Sequence, residues 1–281
     1  MPTITEIIKK RMSCRTYSEK PVEDKVLQEF SVSVNAVHTG PFDNQPKFKL
    51  IMLTSLTPPE WKKLGTYGVI KNAQIFLVGS IRNGHLALED YGYCKEKLIL
   101  QATKLGLGTC WLGGTFQLSR FAQAIGLQEG ELLPTVSPVG YPARQKSITE
   151  KIMRWGAGSD NRKPWSDIFF AGNFSQPLTP SQAGKYTEAL ENLRLAPSAS
   201  NKQPWRILRD SVQNNFHFYL SRAFGYNSLW HVSLQNIDLG IAMCHFALTV
   251  QEAGLKGRWQ IDTAAPAYKS LDYIVTWQDE R

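Results

Sequence analysis

The feature that most constrains this chain is a repetition of its own pattern. Asp90-Tyr91-Gly92, Leu105-Gly106-Leu107 and Trp111 reappear as Asp238-Leu239-Gly240, Ala253-Gly254-Leu255 and Trp259, all at one offset of 148 residues. One such match means little. A constant offset across separated stretches is hard to obtain by chance and reads as an internal duplication. Upstream the register loosens: Tyr17-Ser18 with Pro21 resembles Phe174-Ser175 with Pro177, and Asn44-Gln45-Pro46 resembles Gln203-Pro204. Two copies cannot build a solenoid, which needs at least three stacking units, so a fused pair about a pseudo-two-fold axis is expected. The expected units are residues 1–170 and 171–281, and a chain of 281 residues is long enough to give them a sizeable core.

Local patterning supplies elements. Ile4, Ile7, Ile8 and Arg11 recur at helical spacing after the capping residue Thr3, and Pro21 stops continuation beyond the extended Thr16-Tyr17-Ser18. Arg11 to Arg15 therefore falls at a helix end. Phe48 to Leu53 and Ala73 to Val78 are short apolar runs with the β-branched and aromatic content of buried strands. Asp90 to Leu105 reads as a helix with a broad apolar face of Leu98, Leu100 to Ala102 and Leu105, and Gly106 and Gly108 are expected to end it with positive φ angles. Thr135 to Val139 reads as a further strand, closed by Gly140-Tyr141-Pro142 as a turn. In the second copy Phe169-Phe170-Ala171-Gly172 stands where the first has Arg11 and Arg15.

The net charge of +8 and pI near 9.3 favour anionic partners. The basic residues are scattered, with no zinc-finger spacing, RNA-binding aromatic signature or basic tail, so nucleic acid is not the expected partner. Glu6, Lys9, Lys10 and Arg11 interrupt the apolar positions of the N-terminus, and no stretch has the length of a membrane helix. A cytoplasmic protein without a membrane partner is expected. Cys14, Cys94, Cys110 and Cys244 form no CxxC pair and read as reduced thiols of the core. The five histidines show no metal spacing, and no metal is expected.

Two segments carry chemistry. Arg11, Ser13 and Arg15 place two guanidinium groups and a hydroxyl within five residues, enough to grip a phosphate and leave a cation for a second anionic group. Taken alone, the same residues describe an ordinary solvated helix end. Ala196-Pro197-Ser198-Ala199-Ser200-Asn201-Lys202-Gln203-Pro204-Trp205 is a polar loop pinned by two prolines, whose small side chains let backbone approach a flat ring. Its length and composition exceed what joining a helix to a strand requires. Cys14 lies among arginines that would favour its thiolate, but no partner base is visible and a packing role is expected. Trp111 and Trp259, equivalent in the repeat, are expected in the core.

Together Arg11 to Tyr17, the Ala196 to Trp205 loop, Gly106-Leu107-Gly108-Thr109-Cys110-Trp111-Leu112-Gly113-Gly114 and Arg162-Lys163-Pro164-Trp165 resemble the nitroreductase family of flavoproteins. The duplicated chain resembles most closely the subgroup in which two nitroreductase-like units are fused, over nearly its whole length. The resemblance implies an α+β fold, a mixed sheet flanked by helices, with FMN between two units, one supplying the basic segment and the other the Pro-Ser loop. The basic segment is intact in the first copy and the loop in the second, while the first copy's loop has become Val37-His38-Thr39-Gly40-Pro41-Phe42-Asp43. One FMN site per chain is then expected, with further oligomerisation left open.

By the same resemblance Arg11 and Ser13 bind the FMN phosphate, with Arg162 nearby. Arg15 faces the N1 and C2 carbonyl edge of the ring, and Gly113 and Gly114 bring backbone to flavin N5. Pro197, Ser198 and Asn201 cover the ring from the other unit. Thr66 and Tyr67 stay unassigned. The cofactor carries the hydride, so no catalytic side chain is named. NADH or NADPH is the implied donor and a nitroaromatic, quinone or similar electron-poor compound the acceptor. Gly106-Leu107-Gly108 is no dinucleotide fingerprint, since it ends a helix instead of opening one. Two other readings stand beside this one: a module that holds or senses flavin with little turnover, and a specialised flavin dehydrogenase or reductive deiodinase-like reaction with substrate near Thr115 to Gly130.

Overall fold

The computed structural model describes residues 1–53, 70–113, 118–145, 161–210, 214–222 and 232–280. Helix α1 spans Ile4–Lys10 and α2 Asp24–Ala36; strands β1 (Lys47–Met52) and β2 (Ile75–Arg82) follow, then the long helix α3 (Ala87–Lys104). Strand β3 (Gly108–Thr109), helix α4 (Leu118–Ile125), β4 (Glu131–Leu132) and β5 (Val136–Gly140) complete the first half. The second half contains β6 (Phe169–Ala171), β7 (Asn173–Pro177), α5 (Pro180–Ala183), α6 (Thr187–Arg194), β8 (Trp205–Arg209), β9 (Phe216–Leu220), α7 (Leu234–Glu252), β10 (Lys256–Gln260) and β11 (Asp272–Glu280). This is the expected α+β class.

The strands form two sheets with one plan. The first runs β1-β2-β5-β3 with β4 beside β2, and every pairing is antiparallel. The second contains β8-β9-β11-β10, again wholly antiparallel, and β6 and β7 extend it beyond β8. Strand β6 joins β8 in parallel, Phe170 opposite Leu208, and turns back antiparallel as β7. Ile207, Phe216, Phe218 and Leu220 are buried in one cluster with Phe246, Val250 and Trp277, so this sheet packs on α7.

Helices α3 and α7 cross between the sheets with their backbones nearly touching. A Cβ on Gly92 would lie 2.3 Å from the Ile237 carbonyl oxygen, and one on Gly240 would lie 2.0 Å from that of Glu89. Gly92 and Gly240, and Glu89 and Ile237, are separated by the same 148 residues, so the contact is reciprocal. Helix α7 is apolar on nearly all sides, as suits a helix enclosed by protein. Its residues Leu239, Ala242, Met243, Cys244 and Phe246 are all fully buried.

Several local expectations hold for the expected reasons. The Thr3 hydroxyl accepts from the Glu6 amide while the Glu6 carboxylate accepts from the Thr3 amide, a capping box that starts α1. Gly106 has φ of +80° after the last turn of α3. The four cysteines are free thiols and buried.

Three expectations need correction. Gly108 is not a left-handed stop. It lies in β3 because a Cβ there would fall 2.8 Å from Cys14 Cβ and 2.9 Å from Pro142 Cγ, so its lack of a side chain serves close packing. Gly140-Tyr141-Pro142 does not turn: Gly140 ends β5, the Tyr141 carbonyl accepts from the Ser18 amide, and Pro142 bridges Tyr17. Finally, Phe169–Ala171 does not take the place of the basic segment. Ser13 bridges Thr109 in β3, on one edge of its sheet, whereas β6 lies beside β8, the strand that corresponds to β1 at the opposite edge.

Candidate functional site

The basic segment is anchored largely through its main chain. Cys14 N donates to Thr109 O at 2.8 Å, Lys71 N donates to Arg15 O at 2.9 Å, and Tyr17 Oη donates to Cys14 O at 2.7 Å. Cys14 is buried against Gly108, while Arg11, Ser13 and Arg15 are half-buried. Arg15 Nε and Nη1 are buried with no hydrogen-bond partner among the described residues. Guanidinium nitrogens left so are costly, on the order of 1–3 kcal/mol for each unmet group, unless something answers them. Helix α1 delivers the segment to the second half of the chain: Ile4 N donates to Glu252, and Ile7 and Ile8 share an apolar cluster with Cys244 and Leu195.

The Pro-Ser loop is strained and braced. Ser200, Asn201 and Gln203 have φ of 49°, 52° and 47°, the left-handed region that costs a non-glycine residue of order 1 kcal/mol or more. Such strain persists only where surroundings impose it. Ser198 Oγ accepts from Gln203 N at 2.8 Å, Gln203 Oε1 accepts from Lys163 N at 2.8 Å, and Asn201 Nδ2 donates to Asn161 O at 2.9 Å. Arg162 joins the same brace, donating to Asn201 Oδ1 at 3.3 Å and to Leu195 O at 3.2 Å. The structure thus brings Arg162 to Asn201, whose backbone amide donates to Ser198 O at 2.9 Å, and Pro197 lies between Leu195 and Ser198 in the same loop.

The start of α7 links this loop to the glycine segment. A Cβ on Gly113 would fall 2.8 Å from the Leu234 methyl carbons, and Asp238 Oδ1 accepts from Ala199 N at 2.9 Å. Leu234 and Asp238 are one helical turn apart, so Gly113 and Ala199 flank positions about 6 Å apart along that helix. Gly114, with Thr66 and Tyr67, lies outside the described residues.

Sequence reasoning missed Gln235 and gave Asp238 no role beyond the repeat. Gln235 is fully buried in the first turn of α7, with neither amide atom partnered among the described residues. Burial pushes the Asp238 carboxyl up to about 8, against the opposing Ala199 hydrogen bond. A lone buried glutamine leaves no periodic signal. The Asp90 and Asp238 match did carry one, because both aspartates hold loops that precede a strand. The buried Lys95, Glu96 and His245 were also missed, since charges in a helix ordinarily face water.

The family model described as "Putative TM nitroreductase" matches residues 3–250, and the chain belongs to this family. It is accordingly an oxidoreductase of nitroreductase type. Among known proteins, one of Archaeoglobus fulgidus named putative NADH dehydrogenase/NAD(P)H nitroreductase is 22% identical over 176 residues, 59% of this chain and 100% of that protein. The crystal structure of a putative nitroreductase from Thermotoga maritima shares the fold with a TM-score of 0.58 at 20% identity, over 99% of this chain and 94% of that one. A nitroreductase from Bacteroides fragilis, described with bound FMN, aligns at 18% identity over 53% of this chain and 95% of its own, with a TM-score of 0.39.

Proposed function

We propose that the chain is an FMN-dependent NAD(P)H:acceptor oxidoreductase with one cofactor site, reducing nitroaromatic, quinone or similar electron-poor compounds. The observation that carries this reading is the first turns of α7, where Leu234 abuts Gly113 and Asp238 holds Ala199 of the Pro-Ser loop. The buried nitrogens of Arg15 and amide of Gln235, without partners among the described residues, fit a planar heterocycle that offers carbonyl and imide edges. Arg11 and Ser13 would hold the phosphate, Arg15 the polar edge of the ring, Gly113 and Gly114 would present backbone, and Pro197, Ser198 and Asn201 would cover it. Arg162 fixes Asn201 and supplies nearby positive charge.

Bound FMN supplies hydride transfer, which is why no side-chain nucleophile is required. The chain's own work is to bind, orient and exclude water. Two units, residues 1–170 and 171–281, support a single asymmetric site. The common strand order of the two sheets and the reciprocal glycine contact favour a fused pair, and β6 would be the first unit's final strand added to the second unit's sheet. One chain then supplies both sides of the site, and a monomer suffices.

A visible spectrum of the purified protein tests the reading. Flavin absorbance near 450 nm is expected in the parent, bleaching anaerobically with NADH or NADPH, and at least tenfold weaker FMN binding in both Arg11→Ala and Ser198→Ala. Absence of flavin absorbance after FMN is added and free FMN removed would overturn it.

A further inference from the structure

Three charged or titratable side chains lie in the core beside the proposed site. Lys95, Glu96 and His245 are all 0% exposed. Lys95 Nζ donates to Thr135 O at 3.1 Å and to Thr135 Oγ1 at 2.8 Å, and it lies over the Trp111 ring, 4.8 Å from its centre. Glu96 Oε2 accepts from Trp111 Nε1 at 2.9 Å, and its Oε1 lies 3.0 Å from His245 Nε2. His245 Nδ1 is 2.9 Å from Asn192 O, in α6.

The hydrogen-bond roles follow. A carbonyl oxygen only accepts, so His245 Nδ1 carries a proton. The contact between His245 Nε2 and the Glu96 carboxyl then needs one further proton, held by either group.

These residues grip one place from two sides. Leu112 and Val136 exchange both backbone hydrogen bonds at 3.0 Å. Lys95 holds Thr135, the neighbour of Val136, while Glu96 holds Trp111, the neighbour of Leu112. Gly113 follows immediately. Burying ions is expensive and seldom adds net stability over apolar packing, so their presence calls for a role in fixing geometry. The other half of the repeat shows what happens without them. Met243 and Cys244 stand at the positions of Lys95 and Glu96, and Trp259 Nε1 is buried without a partner among the described residues.

We infer that Glu96, braced by His245 and with Lys95 beside it, is a positioning residue that fixes Trp111 and thereby the approach of the Leu112–Gly113 backbone to flavin N5. This rests on the proposed cofactor reading. Glutamine can replace Glu96 in this role, because its oxygen can accept from Trp111 and its NH2 can donate to neutral His245. Leucine cannot.

The test compares Glu96→Gln, Glu96→Leu and Trp111→Phe as FMN-loaded proteins, using sulfite, which adds to flavin N5 and bleaches the 450 nm band. Sulfite affinity is expected within twofold of the parent in Glu96→Gln, at least tenfold changed in Glu96→Leu and at least threefold changed in Trp111→Phe. FMN affinity should change less than threefold throughout. Parent-like sulfite affinity in a folded Glu96→Leu would overturn the inference, and if that variant does not fold, parent-like affinity in Trp111→Phe does so. If the parent itself takes up no FMN, the cofactor reading fails, and backbone amide resonances of Leu112 and Gly113 decide the positioning role. Their displacement in Glu96→Leu but not in Glu96→Gln supports it, and unmoved resonances overturn it.

Discussion

Asp90 and Asp238 occupy matching positions on the two crossing helices, and each holds a loop that leads into a strand, β1 for Asp90 and β8 for Asp238, but they are used differently. Asp90 accepts from Phe42 N, from Asn44 N at 3.0 Å and from Asn44 Nδ2 at 2.9 Å, so the first-half loop saturates it. Asp238 accepts from Ala199 N alone among the described residues, and its Oδ2 is buried without a partner. Burial pushes Asp90 up to about 6, with three hydrogen bonds opposing the shift, and Asp238, with one, up to about 8. A saturated carboxylate closes a loop as a structural tie. An unsaturated one, next to a strained loop and a glutamine without a partner among the described residues, leaves hydrogen-bonding capacity for something else.

The comparison can be broken at the crossing itself. Gly92→Val and Gly240→Val should each abolish folding to the native state, because the added carbons meet carbonyl backbone that cannot yield as a side chain can. Near-UV circular dichroism would show the loss of packing. A large effect at one glycine and a small one at the other would contradict the reciprocal contact.

A smaller effect is expected at the aspartates. Asp90→Ala removes the acceptor of three donors and should cost roughly 3 kcal/mol, whereas Asp238→Ala loses one hydrogen bond while removing a costly buried acid and should cost under about 1 kcal/mol. Urea denaturation at pH 7 measures both, and equal costs would erase the distinction between the loops.

Their titration sharpens the same point. Each folded carboxyl holds its proton to a higher pH than in the unfolded chain, so each favours the fold most below about pH 4 and loses that contribution as pH rises through its folded value. For Asp90 the loss is complete near pH 6, and for Asp238 it continues to about pH 8. The difference in stability between parent and Asp238→Asn should therefore change between pH 6 and 8 by about 2 kcal/mol, while that between parent and Asp90→Asn changes by under about 0.5 kcal/mol. The smallest effect concerns the loop. Ser200→Gly relieves a left-handed serine and should stabilise the protein by up to about 1 kcal/mol in thermal melts, while weakening the proposed FMN binding by loosening the loop.

What the sequence revealed follows from what kind of interaction fixes each part. The start of α1, the end of α3 at Gly106 and the strands around Leu50, Leu77 and Val139 are local matters of capping, chirality and alternation. The parallel docking of β6 on β8 is not, because nothing in Phe169–Ala171 names a partner so far along the chain. Gly108 looked like a left-handed stop because glycine after a helix is ambiguous between conformational freedom and closeness. At the site the basic segment and the Pro-Ser loop stood out by composition. Lys95 and Glu96 did not, since only the fold turns that face of α3 inward, where Thr135, Trp111 and His245 await them.

The backbone-tight crossing of α3 and α7 has a consequence for how such a chain can change. In an assembly of identical subunits, a residue near the symmetry axis is confronted by its own copy, and every substitution there is felt twice. Here the two helices belong to one polypeptide and differ in sequence, so Glu96 can face a histidine on the other side. A mutation on either helix lands once, and the two sides of the crossing are free to acquire different chemistries while the glycines keep them in register.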